Sequence, residues 1–496
     1  MRKRTWKLGL GLALAGCVVA CGGDNDDMVR GTDAAVAIGT GGAGGTGAMA
    51  VADAGAKDVG ASTGDAGAST SDAGASNPGS GGQVATNDAL PAPTTDGGPP
   101  VSALPANAAV YIMSNAAAGN AVYGFRRGAD GALSPMAAPF PTGGKGSGMG
   151  LGEQGALAYD RVNKRLLTVN AGDHSFTVLP VAADGTLGAP LNVAASSAGA
   201  VGAMLNGPKS ITFYGDLVYV LYQGTGTIPS MIAGWKLAPT AGGGLGATAI
   251  PGSAVSLSSA TQSVDPAQIE FTPDGKFLVV TEKQSGANDT VKGAGKIDTF
   301  AIDAAGVASK KGSYDPAPMA GAGDGGVMPQ MTPFGFEFLD SYLIVSEAGS
   351  TGVGAYTYAD GVIAPVVASQ FLPTDPAPCW VAVTGRWAYV TNARGPSISG
   401  FKVGANGALS NVGPIANGVV ASTGHTIPGD GGVTFQGPTD EFFSVDGKFL
   451  YVLNAAVPSI GVFKVESNGT LSRVGDGDYT APAAALPTGA AGIVAL

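Results

Sequence analysis

From residue 106 onward, apolar and polar positions alternate in short runs, and the runs recur. The stretches "PAQIEFTPDGKFLVVTE" (266–282) and "PTDEFFSVDGKFLYVLN" (438–454) align without a gap. In each, Pro leads a run that closes on an aromatic residue, D-G-K-F-L follows, and a second β-rich run ends on a polar residue. Alternating runs on either side of a D-G turn predict a β-hairpin. "QGALAYDRVNKRLLTVN" (154–170) has the same length. "PKSITFYGDLVYVLY" (208–222), "PFGFEFLDSYLIVSE" (333–347) and "PCWVAVTGRWAYVTN" (378–392) are two residues shorter, the difference falling at the turn.

Each copy is followed by a second hairpin. "ARGPSISGFKVGANGALSNV" follows Asn392, "AAVPSIGVFKVESNGTLSRV" follows Asn454 and "AGDHSFTVLPVAADGTLGAP" follows Asn170. An N-G or D-G pair before Leu marks a tight turn between strands. One repeat is therefore four antiparallel strands, the unit of a propeller blade. The six hairpins give six blades, and the chain ends supply a seventh. "AAVYIMSNAAAGNAVYGFRRGADGALSP" (108–135) has a second, third and fourth strand but no first, whereas "LPTGAAGIVAL" ends in a lone strand. Gly492 to Leu496 should pair with Val110 to Asn115, removing two exposed sheet edges. The predicted fold is all-β: a seven-bladed propeller of four-stranded antiparallel blades closed by its last strand.

Composition divides the rest of the chain. "MRKRTWK" followed by "LGLGLALAG" is a charged, then apolar, export signal too short to span a bilayer. "VVAC" and "LAGC" place small residues before Cys21 and Cys17 and resemble bacterial lipoboxes, with Cys21 preferred as the lipid attachment site and Cys17 as the alternative. Residues 1–20 are thus read as a lipoprotein signal. Residues 21–105, rich in Gly, Ala, Ser and Asp, are read as a disordered tether, and 106–496 as the propeller. A flexible chain of that length reaches roughly 50 Å. The expected location is the bacterial cell envelope, in the periplasm or at the outer membrane, with a monomer anchored to the membrane by lipid. A net charge of −11 excludes the basic stripe that nucleic acid requires. Cys379 is the only cysteine in the propeller segment and is read as a small buried apolar residue.

Antiparallel pairing places the starts of first strands, the ends of second strands and the long connections 136–153, 190–207, 247–265, 311–332 and 412–437 on one face. Long loops over a rigid ring are where binding function concentrates. Second strands end there in Asn115, Asn170, Tyr222, Glu282, Glu347, Asn392 and Asn454. Glu282 and Glu347 are the candidate catalytic or ligand-contacting carboxylates. Asn115, Asn170, Gln268, Asn392, Arg394, Asp440 and Asn454 are candidate ligand-binding residues, with Lys209 able to approach the same opening. For the asparagines, capping of turning strands competes with ligand binding. His174 and His425 lie in loops without metal-ligand spacing, and no cofactor is expected; a hard cation such as calcium at the carboxylates is the weaker alternative. "GGKGSGMGLG" (143–152) lacks the closing G-K-[ST] of a phosphate loop and is read as a flexible connection.

"FTPDGKFLVVTE" and "FSVDGKFLYVLN", with "GVFKVESNGTLSRV" after the latter, resemble blades of the bacterial lactonase-type seven-bladed propellers, the family of 6-phosphogluconolactonase and carboxymuconate cyclases. The likeness covers nearly all of 108–496. It implies lactone hydrolysis or formation at the channel mouth by His, Arg and Glu side chains, with a Pro-Arg-His run opening a first strand. Here the openings are "PKS", "PAQ", "PFG", "PCW" and "PTD", and none keeps Arg-His. The family's Asn-Glu strand ending is kept in part, at Glu282 and Glu347. Two functions follow: a ligand- or partner-binding lipoprotein, or a lactone or ester hydrolase with a rebuilt site.

Overall fold

A computed structural model describes residues 108–496 apart from 226–227, 258–264, 289–290, 294, 317–331, 349–351, 368–376, 394–396, 413–418, 423–437, 455–457, 476–485 and 488. The signal, the tether, Cys17, Cys21, Arg394 and His425 lie outside the described residues.

Seven sheets, each with a four-stranded path, surround one channel. Blade one runs from the channel outward as Ala491–Ala495, Ala109–Met113, Ala121–Arg127 and Leu133–Pro135. The innermost strands of blades two to seven are Leu157–Asp160, Pro208–Tyr214, Asp265–Phe271, Pro333–Leu339, Pro378–Thr384 and Glu441–Phe443. Each is hairpinned to its second strand, as the repeat predicts. The closing pairs are Val110 with Ala495, Tyr111 with Val494, Ile112 with Ile493 and Met113 with Ala491, a bulge shifting the last one. Two features depart from the pattern. The second strand of blade four extends past Glu282 to Asn288 and forms a short ribbon with Val291–Gly293. The connection 190–207 contains a 3-10 segment, Ala195–Met204, broken at left-handed Gly199.

The apolar runs are continuous rather than half polar because both faces of an inner sheet are covered by neighbouring blades. "LVYVLY" of blade three is buried at every position but the first. Ile344 and Val353 of blade five meet Val381, Val390 and Phe401 of blade six in one cluster. Val110, Ile112 and Ile493 of blade one meet Tyr451, Leu453 and Ile460 of blade seven in another.

A recurring hydrogen bond fixes neighbouring blades in register. Tyr219, Tyr389 and Tyr451 donate to the carbonyls of Gly306 (2.6 Å), Gly469 (2.9 Å) and Gly131 (3.2 Å) of the next blade, and Tyr111 donates to Gly185. Those glycines sit in the tight outer turns at φ between +80° and +86°, the left-handed position of a three-residue hairpin loop. At Gly131 a Cβ would also lie 2.4 Å from the Phe449 ring, so the turn has no room for a side chain. Asp130-Gly131, Asp184-Gly185 and Asn468-Gly469 are therefore docking points as well as turns, and Gly306 plays the same part after Ala305.

Two outcomes test the closure. Tyr451→Phe should lower unfolding free energy by about 1 kcal/mol, the net worth of a buried hydrogen bond, in a denaturant titration. Deletion of Ala491–Leu496 should abolish the single cooperative thermal transition, because blade one then loses its inner strand.

Candidate functional site

An innermost strand has one edge facing the channel, with backbone groups no neighbouring strand can satisfy. Two glutamines cover such groups. Gln268 of blade four accepts the Phe336 N–H (2.7 Å) and donates to the Phe336 carbonyl (2.9 Å) on blade five. Gln154, just before the inner strand of blade two, does the same at Val381 of blade six, accepting at 2.9 Å and donating at 2.8 Å. Gln154 therefore crosses the channel. Gly335 makes room for it: a Cβ there would lie 2.1 Å from Gln154 Oε1.

The residues before Gln154 close the long-loop mouth. Lys209 Nζ of blade three donates to the Leu151 carbonyl (2.7 Å) and Lys283 Nζ of blade four to the Gly152 carbonyl (2.7 Å). Trp380 Nε1 of blade six donates to the Glu153 carbonyl (2.7 Å), and Gln154 N–H donates to Ala267 (3.2 Å). Four consecutive residues are thus tied to three blades. Upstream, Asn115 accepts from Ser147 N–H (2.9 Å) and donates to Ser147 Oγ (2.9 Å) and to the Met149 carbonyl. The reading of "GGKGSGMGLG" as a flexible connection is corrected: its glycines permit close backbone approach. A Cβ on Gly146 would lie 2.0 Å from the Asn115 carbonyl carbon.

This strap buries charge. Glu153 is 2% exposed, and neither of its carboxylate oxygens has a hydrogen-bond partner. Burial pushes its pKa up to about 8, against the opposing pull of Lys209 and Lys283. Lys283 is buried too, which lowers its pKa; its partners are Asp265 at 2.8 Å and the face of Phe334 at 5.3 Å. Asp440 is also pushed up to about 8 by burial, although Glu441 N–H (3.0 Å) and Ile493 N–H (3.2 Å) both donate to it. Through Ile493 the closing strand reaches the channel.

Beneath the strap is a cavity of about 50 Å³ lined by Gln154, Gln268, Glu270, Glu337, Asp440 and Glu441, among others. It has room for a few waters, whereas pockets for small organic ligands run from about 300 to 1,000 Å³. Among the described residues, no three His, Cys, Asp or Glu side chains converge closely enough to hold a metal ion directly.

The candidates separate into two groups. Gln268 and Asp440 line the cavity; Glu282 and Glu347 do not. Glu282 is fully buried, opposite Pro266 and Lys296 in its sheet. Glu347 is fully buried and accepts from Tyr356 OH at 2.8 Å, and burial raises its pKa to about 8. The asparagines each bond to neighbouring side chains. Asn170 donates to Ser175 (3.0 Å) and Thr177 (2.9 Å) and accepts from Asn120 (2.9 Å) and Thr142 (2.8 Å), leaving nothing for a ligand. Asn392 donates to Ser397 and Ser399, both at 2.9 Å, and Asn454 to Ser459 at 3.3 Å. These amides join second strand to third, and the side-chain oxygen of Asn392 is left without a hydrogen-bond partner among the described residues. Hydroxyls five and seven residues after the Asn were the signal in the sequence. His174 Nδ1 accepts Gly207 N–H at 3.0 Å. Cys379 is fully buried in an apolar cluster with Phe334 and Trp380, and its Sγ lies 3.2 Å from the Ala377 carbonyl. Glu153, Gln154, Lys283 and Trp380 were not singled out. Their only signal is position: "EQG" precedes a first strand, and Lys283 follows Glu282.

No protein-family model and no curated protein matches the chain. Solved structures do. A provisionally assigned 6-phosphogluconolactonase from Bacteroides fragilis aligns over 80% of this chain and 100% of its own, with 16% identity and a TM-score of 0.55. One from Bacteroides uniformis aligns over 75% and 96%, with 15% identity and a TM-score of 0.51. A protein from Sulfolobus tokodaii described as a hypothetical selenium-binding protein aligns over 79% and 94%, with 9% identity and a TM-score of 0.51. By fold the chain is a 6-phosphogluconolactonase-like seven-bladed propeller; at these identities the likeness concerns fold alone.

The three carboxyls held near pKa 8 set a pH dependence. Their favoured protonation makes its full contribution to stability below the ordinary carboxylate pKa of about 4.5 and loses it as pH rises through about 8. The thermal midpoint should fall between pH 5 and pH 8.5, and Glu347→Gln should flatten that fall by about a third in melts across the range.

Proposed function

We propose that this chain is an exported, lipid-anchored propeller whose long-loop face binds a ligand or partner without turning it over. The observation that carries this reading is the strap: Lys209, Lys283 and Trp380, the side chains best placed to grip a substrate at the mouth, each donate to a carbonyl of residues 151–153. A mouth crossed by the strap over a small cavity makes a rigid floor, and recognition falls to the loops around it. Cys21, or Cys17, attaches the lipid, and the tether sets the propeller off the membrane as a monomer.

A second reading has one observation in its favour. Glu153, buried beside Lys209 and Lys283 with its pKa near 8, has the character of a general acid–base for lactone or ester hydrolysis. Release of the strap would be needed to admit substrate.

A hydrolysis screen over aliphatic, aromatic and sugar lactones separates the two. The expected result is turnover indistinguishable from buffer. Activity above buffer that falls at least tenfold in Glu153→Gln would replace binding with the hydrolase, while activity lost in Glu282→Gln or Glu347→Gln instead would move the chemistry to the strand ends. Metabolic labelling with palmitate should mark the wild type and fail in Cys21→Ala; loss in Cys17→Ala alone would shift the anchor.

A further inference from the structure

The strap across the mouth carries an acid that nothing around it pairs. Glu153 is 2% exposed, and neither of its carboxylate oxygens has a hydrogen-bond partner. The charged groups that face it come from three blades. Lys209 of blade three and Lys283 of blade four attract a charge on it; Asp265 of blade four and Asp440 of blade seven repel one. Both lysines are engaged elsewhere, Lys209 with the Leu151 carbonyl and Lys283 with the Gly152 carbonyl and Asp265. A buried carboxylate without hydrogen bonds is stable only as the neutral acid. Seating the strap therefore takes up a proton, and ionising Glu153 requires that water reach it.

The strap is built to let water in. Residues 151–153 pair with no strand, and their carbonyls are held by single side-chain donors from Lys209, Lys283 and Trp380. The peptide unit joining Glu153 to Gln154 is gripped at both ends, its carbonyl by Trp380 and its N–H by the Ala267 carbonyl. On either side stand Gly152 and Gly155, at φ +62° and +79°, left-handed positions where the chain turns without the cost of a Cβ. The Gln154 side chain anchors the far end at Val381. We propose that residues 151–153 are a proton-controlled latch, seated while Glu153 is neutral and lifted from the mouth when Glu153 ionises. Lifting frees Lys209 Nζ, Lys283 Nζ and Trp380 Nε1 to meet an acceptor from outside. The latch acts whether the loop face binds its ligand or turns it over, so it stands apart from that reading.

The direction of the response follows from linkage. Glu153 titrates at about 8 when seated and about 4.5 in water, so seating is fully favoured below about 4.5 and weakens as pH rises through 8. Hydrogen–deuterium exchange of the full-length protein between pH 6 and pH 8.5 tests this, with the intrinsic exchange rate at each pH divided out. Protection of the Gln154 amide should fall about tenfold or more across that range. At pH 8.5 it should exchange ahead of Val220 and Leu221, in the buried second strand of blade three. Glu153→Gln, neutral at every pH, should hold Gln154 protection level and no lower than the wild type at pH 8.5. Glu347→Gln removes a buried acid far from the strap and should keep the wild-type fall at Gln154. Constant protection in the wild type would overturn the latch, as would equal protection of Gln154 and the strand amides at every pH, since the strap then opens only with the whole ring. A fall that persists in Glu153→Gln, or vanishes in Glu347→Gln, would overturn it too. The wild-type comparisons decide by themselves if the variants do not fold.

Discussion

The structure depends on one pairing, that of Ala491–Ala495 with Ala109–Met113. A single blade cannot bury its two faces, so each sheet relies on both neighbours and the ring must close. Closure does three things at once. It gives blade one its inner strand, it places Ile493 and Ala495 in the cluster shared with blade seven, and it delivers the Ile493 N–H to Asp440 in the channel. One of the tyrosine-to-glycine bonds, from Tyr451 to Gly131, links blade seven to blade one across this same seam. The seam is thus fastened near its outer edge as well as at its centre.

The second constraint is the unsatisfied edge of the inner strands. The inner edges of the seven sheets do not pair with one another. The chain fills the channel with side-chain amides from Gln154 and Gln268 and with its own residues 151–154. The cost is burial of Glu153, Lys283, Asp440 and Glu441 within one small region. Opposite charges offset part of that cost at the strap, where Lys283 meets Asp265.

Fold and function part company here. The propeller matches proteins described as 6-phosphogluconolactonases over most of the chain, yet a shared fold carries a site only where the side chains also match. The Arg-His opening implied by the sequence resemblance is absent from "PKS" and its counterparts, and Lys209 at that opening holds a backbone carbonyl. Lys209 and Lys283, the basic groups described at the mouth, fix the chain to itself.

The repeat, the blade count, the order of strands and the closing pair were all legible in the sequence, because hydrophobic period and turn residues are local and recur. The Asn–hydroxyl links were legible in principle, since their partners lie five and seven residues apart. The strap was not. Glu153 and Gln154 lie 227 residues from Trp380 and Val381, and no period connects them. Which of the many carboxylates would face the channel was equally hidden. Glu282 and Glu347 sit at corresponding strand ends, whereas Glu270, Glu337 and Glu441 lie on inner strands among apolar neighbours. Local pattern fixes what each strand becomes; only the closed ring brings distant inner edges within hydrogen-bond reach and decides which charges lose their water.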